Sequence, residues 1–301
     1  MCFAVFSASP ATSMAFLTAD STLNLAATSL LDRTVSWLDW AKLMAVPSLL
    51  TSALHCALFL AVFGPAMRRQ LTEEIDGRAL RDEMGLMGPM TAAEKRTLLW
   101  TVVAVVLWAT DRLHGVNPAW VSLVCAVGLA LPYTGGVLTA DDLSRSVSWP
   151  TVVFVAGASA IGNVAGSAGI SEWLSSLLTP VNFPAGVLEF ALVAAVAVIV
   201  THLLVGSSLT ALALAGPVLI PVGTRLGFNP AIPCLIVYIV SNMQFVFPFQ
   251  NLIILVGQDE PHGYGIVETM RFAPFITALT LLSVALLYAP WWAAIGLLHS
   301  R

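Results

Sequence analysis

The stretch VLEFALVAAVAVIVTHLLVGSSLTALALAGPVLIPV, residues 187–222, decides the fold. Among its 36 residues only Glu189 and His202 can ionise. One α-helix of that length would reach about 54 Å, nearly twice the ~30 Å hydrocarbon core of a bilayer. The same stretch is too short for two comfortable crossings and a loop. Its centre, Gly206-Ser207-Ser208-Leu209-Thr210, is polar and carries a glycine. The stretch therefore predicts a re-entrant hairpin whose tip lies near the membrane midplane. Two short tilted spans joined by the same tip are the alternative. Irregular backbone at membrane depth is tolerated only where it lines a cavity or is buried in protein.

Two more apolar stretches are interrupted in the same way. Ile232–Gly257 is broken by Ser241-Asn242-Met243-Gln244 and then by Pro248-Phe249-Gln250-Asn251. Near the start, Asp20-Ser21-Thr22-Leu23-Asn24 sits between apolar residues. Amides and a proline in lipid are costly without partners, and a carboxylate at membrane depth marks a functional site unless the segment is interfacial and wet. Two of these breaks resemble each other. Ser21-Thr22-Leu23-Asn24-Leu25 and Pro248-Phe249-Gln250-Asn251-Leu252 both end in Asn-Leu. Broken helices at corresponding places in two halves point to an inverted-repeat transporter with its site at the midplane.

Composition agrees with a membrane setting. Of 301 residues, 58% are apolar and 10% charged, with a mean hydropathy of +0.87. Soluble domains carry about a quarter charged residues. Nine Trp, 21 Gly and 17 Pro suit a polytopic helical protein, because Gly and Pro are commoner in membrane helices than in soluble ones. Thirteen Lys and Arg against 17 Asp and Glu give a net charge of −4. No basic surface is available for a phosphate backbone, so nucleic acid is not an expected partner and the lipid bilayer is. A secreted disulfide scaffold and a disordered regulator are excluded on the same numbers. The expected fold class is all-α, a polytopic membrane protein built as a partial inverted-repeat transporter.

A spanning helix needs about 20 apolar residues. That ruler marks Leu43–Phe63, a run from Thr91 to Asp111-Arg112, Val116–Leu131, Pro150–Ile170 and Phe272–Leu298. Thr91-Ala-Ala-Glu94 has the form of a capping box. Pro118 falls near a helix start, where proline is tolerated. Thr139–Asp142 reads as the start of an interfacial helix. The run VAGASAIGNVAGSAGI (155–170) is rich in small residues, which let helices approach closely in lipid. The polar stretch Gly64–Arg96 holds six of the 13 basic residues and six acids. The positive-inside rule places it in the cytoplasm. The expected organisation is 1–63 (a broken helix and one span), a linker 64–96, and 97–301 with the hairpin 187–222 and the broken helix 232–257.

Cys2, Cys56, Cys125 and Cys234 are scattered, so no zinc or iron–sulfur site is expected. No His-Glu-x-x-His, no paired membrane aspartates and no serine with a spaced histidine base appear, so an intramembrane enzyme is not expected and no cofactor is called for.

The order of these segments resembles the divalent-anion:sodium symporter family, the permeases for dicarboxylates, citrate and sulfate. FLTADSTLNLAA (16–27) is similar to that family's Gly-Thr-Pro-Pro-Asn-type broken helix, and TVSWLDWAKLMAVPSLL (34–50) to the link and span that follow it. LMGPMTAAEKRTLLW (86–100), LWATDRLHGVNPAWVSL (107–123) and GVLTADDLSRSVSWPTVVFVAGASAIGNVAGSAGISEWL (136–174) match the next motifs in order. THLLVGSSLTALALAGPVLIPVG (201–223) takes the place of the hairpin with a Ser-Asn-Thr signature, and SNMQFVFPFQNLIILVG (241–257) that of the second broken helix. The resemblance covers nearly the whole chain. It implies that the chain corresponds to the C-terminal 60–65% or so of such a transporter, the first hairpin and scaffold helices lying upstream. Several motif residues differ. Gly206-Ser207-Ser208 stands for Ser-Asn-Thr, His202 for an acidic residue upstream of it, and of the Thr-Pro-Pro-Asn loop only Asn251 is kept.

The resemblance implies secondary active transport of a divalent organic or inorganic anion by alternating access, coupled to sodium, in the cell inner (plasma) membrane. The alternative is a truncated, non-transporting remnant or one half of a split permease. A small anionic substrate, and a homodimer or a missing N-terminal half, are the implied partners. Substrate donors would be Ser207, Ser208, Thr210, Asn251, Asn24 and Thr22. Sodium ligands would be Ser207, Ser208, Pro248, Gln250, Asp20 and Ser21. Hairpin and half-helix N-termini add N–H groups and positive dipole ends. No Lys or Arg lies near the tips, which favours neutral donors and a co-transported cation. Protonation of Asp20 or His202 is the alternative to sodium, and a bond to a neighbouring carbonyl is the structural alternative for His202.

Overall fold

The computed structural model describes residues 2–20, 22–31, 35–70, 85, 88–146, 149, 152–153, 156–157, 160, 164, 167–169, 186–259 and 263–298. The expected span Pro150–Ile170 lies largely outside the described residues, as do 71–84, 86 and 87 of the linker, and Ser21. Among the described residues all regular structure is helical, and the chain is an all-α polytopic membrane protein. In lipid, a helix satisfies its own backbone groups without water. Trp37–Pro65, Val187–Val205, Ser208–Arg225 and Ile266–Ala294 are long and apolar enough to cross a membrane, by length and composition. The chain divides into two compact units, Met1–Val35 with Asp39–Phe59 and Pro150–Arg301, and Ser36–Leu38 with Leu60–Trp149.

The first unit contains the three breaks. Helix α1 (Cys2–Ser13) and the short α2 (Leu23–Ser29) flank the first of them. Helix α3 (Trp37–Gln70) follows. Its Trp40 indole donates to the Met14 carbonyl at 3.0 Å, which satisfies a backbone oxygen where α1 has ended. His55 Nε2 lies 3.0 Å from the Ser7 hydroxyl, so His55 ties α3 to α1 and is structural.

The hairpin arms are α8 (Val187–Val205) and α9 (Ser208–Arg225). Each arm is itself long enough to cross a membrane, so length does not make this hairpin re-entrant. Its turn is distinguished instead by what packs on it. Helix α10 (Ala231–Met243) lies at the centre of the unit, buried along every residue, against α8 and α9. A helix apolar all round belongs in such a place. The chain then leaves the helix and makes a 3₁₀ turn at Pro248–Gln250 before α11 (Leu252–Asp259). The last span starts earlier than expected. Helix α12 (Ile266–Ser283) begins where Glu268 accepts the Gly265 N–H at 3.0 Å, so residues 266–271 are helix rather than link. A π-helical turn, Val284–Tyr288, leads into a final helical turn, Ala289–Ala294. Its Trp292 indole donates to the Leu43 carbonyl at 3.2 Å.

The second unit is organised by capping. The Thr91 hydroxyl accepts the Glu94 N–H at 3.2 Å and Glu94 accepts the Thr91 N–H at 2.7 Å, opening the helix Ala92–Ala109. These bonds hold the Glu94 carboxyl below the usual carboxylate range. That helix packs on Pro118–Ala130, which Asn117 caps, around Ala104, Val121 and Cys125. A Cβ at Gly128 would fall 2.3 Å from the Trp100 ring, so a larger residue there must displace that indole. The expected end at Asp111-Arg112 is instead a short helical turn, Asp111–His114. Asp111 accepts the Trp37 N–H at 2.5 Å, which is why α3 starts at Trp37 and not at Leu43.

Candidate functional site

The three breaks of the first unit meet. A cavity of about 410 Å³ is lined by Asp20 and Thr22 from the first break, Ser207 and Ser208 from the hairpin turn, and Gln250 and Asn251 from the second break. Leu23, Leu209, Phe249 and Leu252 are among its apolar walls.

Each break has a local cause. Gly206 adopts φ +70°, a left-handed conformation that ends α8 and turns the chain. Ser207 then caps α9, its hydroxyl accepting the Thr210 N–H at 3.4 Å. The Ser208 and Leu209 N–H groups, at the first two positions of the helix, have no helical acceptor. In the second break the Gln250 side chain accepts the Val246 and Phe247 N–H groups at 2.6 and 2.9 Å, holding the extended approach to the 3₁₀ turn. Asn251 Oδ1 accepts the Ile253 N–H at 2.9 Å and its amide donates to the Asn242 carbonyl at 2.8 Å. In the first break one oxygen of Asp20 accepts the Thr22 and Leu23 N–H groups at 3.2 and 3.1 Å. Its second oxygen has no hydrogen-bond partner among the described residues. Helices α9 and α11 thus begin at the cavity wall, and their N-terminal dipole ends favour an anion there.

The hairpin turn is bonded directly to the second break. The Ser208 hydroxyl donates to the Gln250 carbonyl oxygen at 2.9 Å, and His202 Nε2 lies 3.3 Å from the same oxygen. A carbonyl oxygen only accepts, so Nε2 carries the proton in this bond. Gln250 Nε2 donates back to the His202 carbonyl at 3.4 Å. His202 is wholly buried and the Gln244 side chain stands beside its ring. A bond from His202 to a carbonyl is the structural alternative stated from the sequence; that the carbonyl belongs to Gln250, 48 residues on, had no sign there.

Of the residues singled out in the sequence, the cavity gathers Asp20, Thr22, Ser207, Ser208, Gln250 and Asn251. Asn24, Thr210 and Pro248 are not on its wall. The Asn24 amide donates to the carbonyls of Phe16 and Leu17 at 2.9 and 3.2 Å and its oxygen accepts from the Tyr238 hydroxyl. These bonds close the first break. Thr210 presents its N–H to Ser207, and Pro248 opens the 3₁₀ turn. Ser21 lies outside the described residues.

The model of the sodium:sulfate symporter transmembrane region matches residues 1–298. The chain belongs to the sodium:sulfate symporter family. Within it, dicarboxylate transporter 1 of the chloroplast from Arabidopsis thaliana is 26% identical over 305 residues, covering 97% of this chain and 52% of that protein. Its counterpart from Spinacia oleracea is 28% identical over 174 residues, 56% of this chain and 30% of that protein. A membrane protein of Cupriavidus necator is 24% identical over 278 residues, 89% of this chain and 52% of that protein. The chain spans at most about half the length of these relatives.

Proposed function

We propose that this chain carries a small divalent anion, a dicarboxylate, citrate or sulfate, across the cell inner (plasma) membrane by alternating access. The observation that carries the reading is the convergence of Asp20, Thr22, Ser207, Ser208, Gln250 and Asn251 on one cavity. The anion would take the N–H groups at the starts of α9 and α11, with the Ser207 and Thr22 hydroxyls as further donors. Among the described residues no Lys or Arg lines the cavity. A dianion and the Asp20 carboxylate in one low-dielectric space therefore need a compensating cation. Asp20, with an oxygen left over beside Thr22, is the group to hold it, and sodium is the proposed ion.

The test is uptake of labelled succinate and of labelled sulfate into vesicles, with and without a sodium gradient, by the chain and by Ser207→Ala/Ser208→Ala. Gradient-driven uptake lost in the double variant supports the reading. Equal, gradient-insensitive counts for both proteins overturn it. A second reading, one half of a two-part carrier that dimerises or pairs with a further half, is favoured by the coverage of about half of each relative. Uptake that appears only on co-expression with the N-terminal half of such a relative would establish it.

A further inference from the structure

The family to which the chain belongs couples through sodium by name, and a hard cation of this kind takes about six oxygens with lone pairs to spare. The carbonyl that the hairpin turn and second break share does not fit that need. The Gln250 carbonyl faces two donors, Ser208 Oγ at 2.9 Å and His202 Nε2 at 3.3 Å. A carbonyl oxygen has two lone pairs, and both are spoken for. The Gln250 side-chain oxygen accepts two backbone N–H groups, at 2.6 and 2.9 Å. Asn251 Oδ1 and Ser207 Oγ accept one N–H each, from Ile253 and Thr210, and keep a lone pair apiece. The proton-bearing edge of an imidazole points at the Gln250 carbonyl, the oxygen that a cation bridging the two tips would take.

We infer that the His202 ring, held between the hairpin turn and the second break, takes the place of a bridging cation, so that this junction binds no sodium. The inference rests on the cavity being the solute site and deepens that reading. Any coupling ion is confined to the Asp20 side, and the junction stays closed whether or not sodium is present. A neutral N–H donor does the joining, and it cannot leave with the substrate.

The experiment measures binding of radioactive sodium to the purified chain in detergent, without any anion. The quantity read is the sodium binding that Ser208→Ala removes. Wild-type chain and Asp20→Asn are expected to show none. His202→Ala opens the Gln250 carbonyl and is expected to gain binding that Ser208→Ala then abolishes. His202→Gln keeps a donor and is expected to gain none, and a single symmetrical elution peak for each variant shows that it has folded. Ser208-dependent sodium binding in the wild type overturns the inference, as does folded His202→Ala that gains nothing. Because no anion is present, failure of transport leaves this readout intact, and the two hypotheses fail separately.

Discussion

His202 and Gln250 bond to each other twice, once in each direction. The His202 ring Nε2 lies 3.3 Å from the Gln250 carbonyl oxygen, and the Gln250 side-chain amide donates to the His202 carbonyl at 3.4 Å. The last turn of α8 and the 3₁₀ turn are joined in this way across 48 residues of sequence. The His202 carbonyl already accepts the Gly206 N–H at 2.8 Å where α8 ends, and the Gln250 amide takes its second lone pair.

Gln250 also supports its own loop, which makes it the more demanding of the pair. Gln250→Ala removes the acceptor of the Val246 and Phe247 N–H groups as well as the donor to His202. These N–H groups are part-buried, so the loss is about 1–3 kcal/mol. Thermal unfolding in detergent is expected to show a larger drop in midpoint for Gln250→Ala than for Ser208→Ala. A Gln250→Ala protein as stable as wild type would mean that the loop is held by something other than this side chain.

How much of this could be read in the sequence depended on distance along the chain. The turn at Gly206-Ser207 was legible because glycine, a capping serine and an apolar run are neighbours, and so were the Thr91–Glu94 and Thr139–Asp142 helix starts. The partners of Asn24 were not legible, for the opposite reason. An asparagine in a polar break looks like a solute contact, yet its partners are Phe16, Leu17 and Tyr238, and the last of these comes from 214 residues away. The start of α3 was missed because its cap, Asp111, is 74 residues distant. Local signals fix where helices begin and break. Partners brought in by the fold decide which polar side chains remain free.

Tyr238 tests the reassignment of Asn24. The tyrosine hydroxyl is buried in α10 and donates to Asn24 Oδ1. Tyr238→Phe keeps the ring and its packing against Trp40 but strands a buried amide oxygen. The expected cost is about 1–3 kcal/mol, read as a lowered unfolding midpoint. If Asn24 is structural, the substrate concentration for half-maximal uptake stays as in the wild type while the amount of folded protein falls. A selective change in that concentration with stability intact would return Asn24 to the substrate shell.

The Glu94 capping box predicts a pH dependence confined to the start of one helix. Hydrogen bonds from Thr91 hold the Glu94 carboxyl below its usual value of 4.5. A depressed folded value means that the contribution is present above the unfolded value and is lost as pH falls through the folded one. Amide exchange at residues 94–97 is therefore expected to quicken as pH drops below about 4.5, after correction for the intrinsic rate, and Glu94→Gln is expected to flatten that rise. Glu94 is fully exposed, so no shift in global stability is expected with it. Equal pH profiles in wild type and variant would show that the carboxylate contributes nothing to the cap.

Gly206 offers the sharpest test of the turn that shapes the cavity. Its φ of +70° is a conformation that a Cβ disfavours by roughly 1–2 kcal/mol. A Cβ there would also come within 3.2 Å of the Phe249 ring, which stacks on Phe247 with centroids 5.3 Å apart. Asparagine tolerates the left-handed region better than alanine, whereas both bring the same Cβ. Two causes can thus be told apart. If backbone conformation dominates, Gly206→Asn keeps more of the stability and uptake than Gly206→Ala. If the approach of Phe249 dominates, the two variants suffer alike, and shortening that ring by Phe249→Leu relieves both. The stacked phenylalanines stand half-exposed at the mouth of the break, so the ring has room to move and the backbone does not. The expected order of stability is therefore wild type, then Gly206→Asn, then Gly206→Ala, with little rescue by Phe249→Leu.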